Sequence, residues 1–291
     1  MERRRFRQVY LEITNICNLR CSFCPPGRRP GGYLSREDFL RALEQIRPYS
    51  RYLYFHVKGE PLLHPLLPEF LELAGDYGFQ VTLTTNGVLV PKLAPVLAAA
   101  PALRQVNLSL HSYQEGAHGP APDYVAALAA YARQGAAAGK HTVFRVWTLD
   151  GGGEADPASQ RMLALLEKEF PGCGSLAARS GQRSVTLAPH VFVSFARQFQ
   201  WPSLAAPVIP GPGSCYGVRR MIGVLWDGTV VPCCLDGEGE CPLGNLLREE
   251  LADILARPLP EEMAQGFRER RVTQQLCRRC GYRTRFGTGD E

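Results

Sequence analysis

The 291-residue sequence has no uninterrupted apolar run near the roughly 18 to 20 residues that a helix needs to cross a bilayer, so a helical membrane protein is excluded. Its opening MERRRFRQVYLEIT lacks the apolar stretch of a secretory signal, and a cytoplasmic location is expected. A long basic stripe with interleaved aromatics is also missing. The formal charge of +5 is mild and Arg3, Arg4 and Arg5 suit a solvated terminus, so nucleic acid is not an expected partner. Charge is scarce enough, at 21% against 45% hydrophobic residues, to exclude a disordered chain and to predict folding throughout. Histidine is scarce too. None of His56, His64, His118 and His190 stands beside an evident partner, and no catalytic histidine is expected.

Cysteine is abundant, at ten residues. In a reducing cytosol these are better read as metal ligands than as disulfides. Cys17, Cys21 and Cys24 form C-x3-C-x2-C in LEITNICNLRCSFCPP, directly after the first expected strand. A [4Fe-4S] cluster normally takes four cysteines, so a cluster held by three keeps one iron open to a non-protein ligand. Zinc is the alternative reading, although its ligands usually come as paired C-x2-C knuckles. Later, twelve residues separate Cys215 from Gly228 and four separate Gly228 from Cys233, and Cys277 and Cys280 close the set in LCRRC. Four thiolates from three segments suffice for a second cluster, and a tetrahedral zinc would also suit them. Cys234 abuts Cys233, where alternate strand faces would part the two side chains. Cys241 lacks a partner at ligand spacing, and Cys173 reads as a small hydrophobe.

Short β-rich runs alternate with helical patterns: QVYLEIT, YLYFHV, QVTLTTN, QVNLSLH, HTVFRVW and SVTLAPHVFVSF read as six strands of βα units, an α/β fold on a parallel sheet. Ser35 with Asp38 three residues on marks a helix start, and LLPEFLELAGDYG ends on a helix-stopping glycine. WPSLAAPVIPGPGSC reads as a stiff connector, dividing residues 1–200 from a smaller unit, 201–291. In the latter, Asp227-Gly228 signals a hairpin, and two helices are expected to break at Pro258 and Pro260. The small unit is expected to cover part of the cavity left by six strands.

The three-cysteine loop after a first strand resembles the signature of the radical S-adenosylmethionine (SAM) superfamily. The resemblance implies a partial (βα)6 TIM-like barrel whose open iron chelates the amino and carboxylate groups of SAM. It also implies reductive cleavage to a 5'-deoxyadenosyl radical that abstracts hydrogen from substrate. Phe23 then matches an aromatic position near the adenine. Gly59-Glu60-Pro61 looks like the family's Gly-Gly-Glu motif with Lys58 in place of the first glycine, which gives Glu60 the methionine ammonium. Thr85, Asn86 and Gly87 end the third strand, Ser109 and His111 the fourth, Arg145 and Trp147 the fifth, where ligand sites of parallel βα architectures gather. Ser109 resembles the family's ribose- or methionine-contacting serine, and Arg145 would pair with the methionine carboxylate. His111 stands where many relatives carry an acid.

The C-terminal pattern resembles the twitch domain, a reduced SPASM domain, and implies one auxiliary [4Fe-4S] cluster on Cys215, Cys233, Cys277 and Cys280. The implied reaction is a net dehydrogenation fed by a low-potential donor such as flavodoxin or ferredoxin. The pattern is similar to that of aminocyclitol alcohol dehydrogenases, which makes a polyol or amino sugar a candidate small-molecule substrate. A peptide or protein maturase, acting on a peptide substrate, is the competing reading, weakened because only a few residues precede the first strand. A zinc-stabilised binding protein is the non-enzyme alternative.

Overall fold

The structure is a computed structural model describing residues 6–148 and 157–286. Ten strands form one sheet: β1 (Gln8–Leu11), β2 (Tyr52–Tyr54), β3 (Gln80–Thr85), β4 (Leu103–Ser109), β5 (His141–Thr148), β6 (Ser184–Ala188), β7 (Val191–Arg197), β8 (Met221–Val224), β9 (Thr229–Val231) and β10 (Gly244–Asn245). Their spatial order is β10-β9-β8-β1-β2-β3-β4-β5-β7-β6. The two outermost strands do not pair with each other, so the sheet stays open. Neighbours from β8 through β1–β5 to β7 pair in parallel.

Helices fill the crossovers: α1 (Arg36–Ile46), α2 (Leu67–Asp76), α3 (Val90–Ala99), α4 (Glu115–His118), α5 (Ala121–Ala137) and α6 (Pro157–Glu169). Ser35 caps α1 by accepting the Asp38 N–H, and the face Phe39, Ala42, Leu43, Ile46 is buried. Phe39 stacks on Phe70 of α2 at 3.9 Å, so the apolar stripes of successive helices share one layer over the sheet. Gly78, at φ +75°, ends α2 as expected. Among the described residues no helix is long and apolar enough to cross a membrane.

The parallel α/β expectation is met, with one correction. SVTLAPHVFVSF is two strands, β6 and β7, in an antiparallel hairpin, because Pro189 offers no N–H to a ladder and His190 turns at φ +63°. Only β7 joins the parallel run.

The C-terminal residues continue the same sheet. β8 pairs with β1 through Gln8–Met221 to Leu11–Val224, and the Asp227-Gly228 turn folds β9 back against β8. Gly228 sits at φ +84°, where an added Cβ would overlap Leu247 and meet Asn245 Oδ1 at 2.7 Å. The helices α7 (Leu251–Leu255), α8 (Pro258–Arg268) and α9 (Gln275–Arg278) follow. The break lies at Ala256 and Arg257, while Pro258 and Pro260 occupy the first turn of α8, where a missing N–H costs nothing. The proline-rich connector is pinned by buried Arg283, which donates to the carbonyls of Pro212 at 3.1 Å, Gly211 and Pro210 at 3.5 Å, and Ile209. Prolines without N–H groups still offer acceptors, and one guanidinium gathers four carbonyls, two of them from proline.

Candidate active site

The loop carrying Cys17, Cys21 and Cys24 springs from the carboxyl end of β1. Its base is closed by Thr14, which donates to Gly32 O at 2.8 Å, and by Asn15, which bonds both Pro30 O and Gly32 N. The Cys24 N–H donates to Cys21 O, turning the chain between these two cysteines. Burial, and next the charges of Cys17 and Cys24, push the Cys21 thiol up to about 11; burial also raises Cys17 and Cys24. Three thiols close enough to feel one another's charge suit a cluster that leaves one iron open. Among the described residues no three His, Cys, Asp or Glu side chains close around a single metal ion.

Two further loops lock onto this one. Gly59 has φ +78°, and a Cβ there would lie 2.8 Å from the Asn15 backbone and overlap Thr14 O, so only glycine allows the approach. The Glu60 N–H donates to Ile16 O at 2.8 Å. The buried Glu60 carboxylate accepts the Leu62 N–H at 3.0 Å and the Asn86 N–H at 2.7 Å, tying the end of β2 to the end of β3, with Pro61 buried beside it. Burial outweighs those donors and pushes its pKa up to about 7. Asn86 donates to Asn18 Oδ1 at 2.8 Å and points its amide at Cys17 Sγ, 4.0 Å away, while Gln114 approaches Cys21 Sγ at 3.6 Å. Thr85 accepts the Gly87 N–H. Glu60, Thr85 and Asn86 therefore meet at the cysteine loop.

The remaining expected residues lie across the sheet. Ser109 is level with Arg145, and Arg145 with Ser194, on β4, β5 and β7. Phe23 packs edge-on to Trp147 at 4.7 Å and to His111 at 5.1 Å, and those two rings stack at 4.2 Å. They line a cavity of about 120 Å³ with Ser159, Met162 and Gln198. Burial, then the Arg145 charge, holds both His56 and His111 down to about 3, so each is neutral.

Cys215, Cys233, Cys277 and Cys280 meet at the C-terminal side. Burial and their mutual charges raise the first three thiols, Cys233 responding to both Cys215 and Cys277, and Cys277 to Cys215 and Cys280. Four thiols that repel one another in a half-buried nest again fit a cationic cluster. Cys233 and Cys234 occupy a turn after β9 rather than a strand, so strand alternation is not what separates them. Cys234 bonds the Tyr10 hydroxyl and feels Arg145, yet its charge also reaches Cys215 and Cys233, and that of Cys280 reaches it; Cys277 likewise feels Cys241. Cys241 is buried near Asp236, and Cys173 is buried in the core.

Residues not anticipated from sequence surround the cysteine loop. Glu12, fully buried at the end of β1, accepts at both oxygens from Arg29 Nη2, at 2.7 and 2.8 Å, and accepts the N–H groups of Lys58 and Trp226. Lys58 Nζ lies 2.7 Å from Pro25 O and 2.8 Å from Glu238 of the C-terminal unit. The one available signal was an acid, Glu12, in an otherwise apolar strand.

Family models agree with this geometry. The radical SAM superfamily model matches residues 11–149, and that of the SPASM iron-sulfur cluster-binding domain matches 215–281. The chain belongs to the radical SAM superfamily. A GTP 3',8-cyclase of Geobacter sulfurreducens is 35% identical over 124 residues, a match spanning 38% of this radical SAM protein and 35% of the cyclase. The structure of BtrN with AdoMet and 2-DOIA superposes with TM-score 0.61 at 17% identity, covering 94% of this chain and 92% of BtrN. Streptococcus suis SuiB bound to precursor peptide SuiA gives TM-score 0.61 at 16% identity, covering 95% and 70%. The shared fold is a TIM-like partial barrel followed by a SPASM domain. Membership brings a SAM-binding [4Fe-4S] cluster and auxiliary cluster binding to this radical SAM protein.

Proposed function

We propose that this protein is a radical SAM oxidoreductase performing a net dehydrogenation. Cys17, Cys21 and Cys24 would hold the SAM cluster, and Cys215, Cys233, Cys277 and Cys280 one auxiliary [4Fe-4S] cluster. When bound, these groups supply a 5'-deoxyadenosyl radical for hydrogen abstraction and an acceptor for the second electron. Glu60 orients the ammonium of SAM, Arg145 its carboxylate, and Ser109 its ribose or methionine part. Phe23, with Trp147 and His111, offers π surface beside the adenine. Glu60 also holds the Thr85-Asn86 loop against Cys17, so binding SAM and shaping the cluster loop fall to one carboxylate.

The observation that carries the reading is the position of Arg145: its charge reaches His111 beside Phe23 on one side, and Cys234 and Tyr282 beside the auxiliary cysteines on the other. A substrate in that space would lie between both clusters, which suits removal of a hydrogen atom followed by an electron. A low-potential flavodoxin or ferredoxin would supply the first electron. A peptide-modifying reaction is the second reading, favoured by the likeness to SuiB with its bound precursor peptide.

The test is anaerobic reconstitution with iron and sulfide, reduction with dithionite and addition of SAM. The intact protein is expected to form 5'-deoxyadenosine and the C17A/C21A/C24A variant none. No cleavage by a protein with both clusters loaded would overturn the proposal.

A further inference from the structure

Lys58 replaces a glycine of the family motif, and its surroundings explain what a cation does there. Its side chain is only 8% exposed, a costly place for an ammonium unless it is paired. It donates to the carbonyl of Pro25, the residue after Cys24, at 2.7 Å and to Glu238 Oε1 at 2.8 Å. Glu238 Oε2 accepts the Arg28 N–H at 2.9 Å, so the same carboxylate holds the backbone of the cysteine loop. Gly237 makes room: a Cβ there would lie 2.7 Å from Cγ and Cδ of Lys58. Arg29 then donates to Gly237 O at 2.8 Å while clasping Glu12. Segment 24–29, the end of β2 and the loop 236–240 are thus knitted at one place, where a positive charge stands beside Cys24 and a negative charge stands one hydrogen bond further away.

We infer that Lys58 and Glu238 form a charge pair through which the C-terminal unit positions the Cys24 side of the SAM cluster and sets its reduction potential. The inference rests on the assignment of Cys17, Cys21 and Cys24 to that cluster. A cation beside a thiolate ligand favours the reduced, more negative cluster, and the carboxylate opposes it. Deleting the two partners must therefore move the potential in opposite directions. A merely structural link would not: each deletion breaks the same bond, and loosening would move both the same way.

The experiment is a potentiometric titration of the reconstituted full-length protein followed by electron paramagnetic resonance, using the reduced-cluster signal that SAM perturbs. Lys58→Met is expected to shift the reduction equilibrium at least about tenfold toward the oxidised form, about 59 mV downward for a one-electron couple. Glu238→Gln is expected to shift it upward, and the double variant to return near the parent. The auxiliary signal should stay in place throughout. Shifts of the same sign in both single variants, or no shift, overturn the inference. If Lys58→Met fails to load iron, Glu238→Gln decides alone, since it keeps the cation. A parent protein with no SAM-perturbed signal tells against the cluster assignment instead.

Discussion

Glu60 carries two tasks that pull its ionisation in opposite directions. Burial raises its pKa from 4.5 to about 7, so without a cationic partner the native protein holds a proton between those values that the unfolded chain has released. Its contribution to stability is therefore full below 4.5 and is lost as the pH rises through 7. An ammonium ligand prefers the carboxylate, so SAM affinity should weaken by up to about tenfold per unit as the pH falls below 7. Equilibrium binding from pH 8 to 5.5 measures this, and Glu60→Gln should bind weakly with no slope across that window. An equal slope in the variant would remove Glu60 from the ammonium site. Its neighbour Gly59 gives a steric prediction. With φ +78° and the Asn15 backbone 2.8 Å from a hypothetical Cβ, Gly59→Ala should cost at least about 1 to 3 kcal/mol of backbone strain and reduce iron loading at the first site. Normal loading and an unchanged melting temperature would contradict it.

At the scale of elements, the β8–β9 hairpin stands or falls with Gly228. Any side chain there strains φ +84° and collides with Leu247 and Asn245, the chain that carries β10. Gly228→Val is expected to lower the melting temperature and to reduce bound iron from about eight atoms toward about four, because Cys233 follows the displaced β9. Retention of both clusters would show that Cys233 is held independently of the turn. This hairpin was legible from Asp227-Gly228, as α1 was from Ser35 and α2 from Gly78, since capping and turn chemistry are local. The β6–β7 hairpin was missed because the run either side of it is continuously β-prone, so that Pro189, which breaks the ladder, and His190, which turns at φ +63°, were read as part of one strand. The site divides the same way. Both cysteine sets were proposed as ligands from spacing, and the residue triplets at the ends of β2 and β3 were proposed as SAM contacts from their position after strands. The Glu12–Arg29 and Lys58–Glu238 pairs were not, because partners 17 and 180 residues apart leave no periodic trace.

For the whole molecule, the pairing of β8 with β1 matters more than the connector between the two units. β1 lies inside the ten-stranded sheet only because residues 221–224 cover one side of it; its Val9 and Leu11 are fully buried. Cutting the chain after residue 200 would leave β1 with an unpaired edge, an invitation to intermolecular pairing. It would also strip Glu12 of the Trp226 N–H and Lys58 of Glu238. Removing one partner of a buried ion pair typically costs about 3 to 5 kcal/mol, a large share of the roughly 5 to 15 kcal/mol that holds a domain folded. A 1–200 fragment is therefore expected to aggregate, and any soluble fraction to reconstitute poorly at Cys17, Cys21 and Cys24. Size-exclusion chromatography and iron analysis of the fragment check both points. A monomeric fragment with about four irons and a SAM-responsive spectrum would mean that the barrel carries its own cluster site and that the C-terminal unit is only an addition to it.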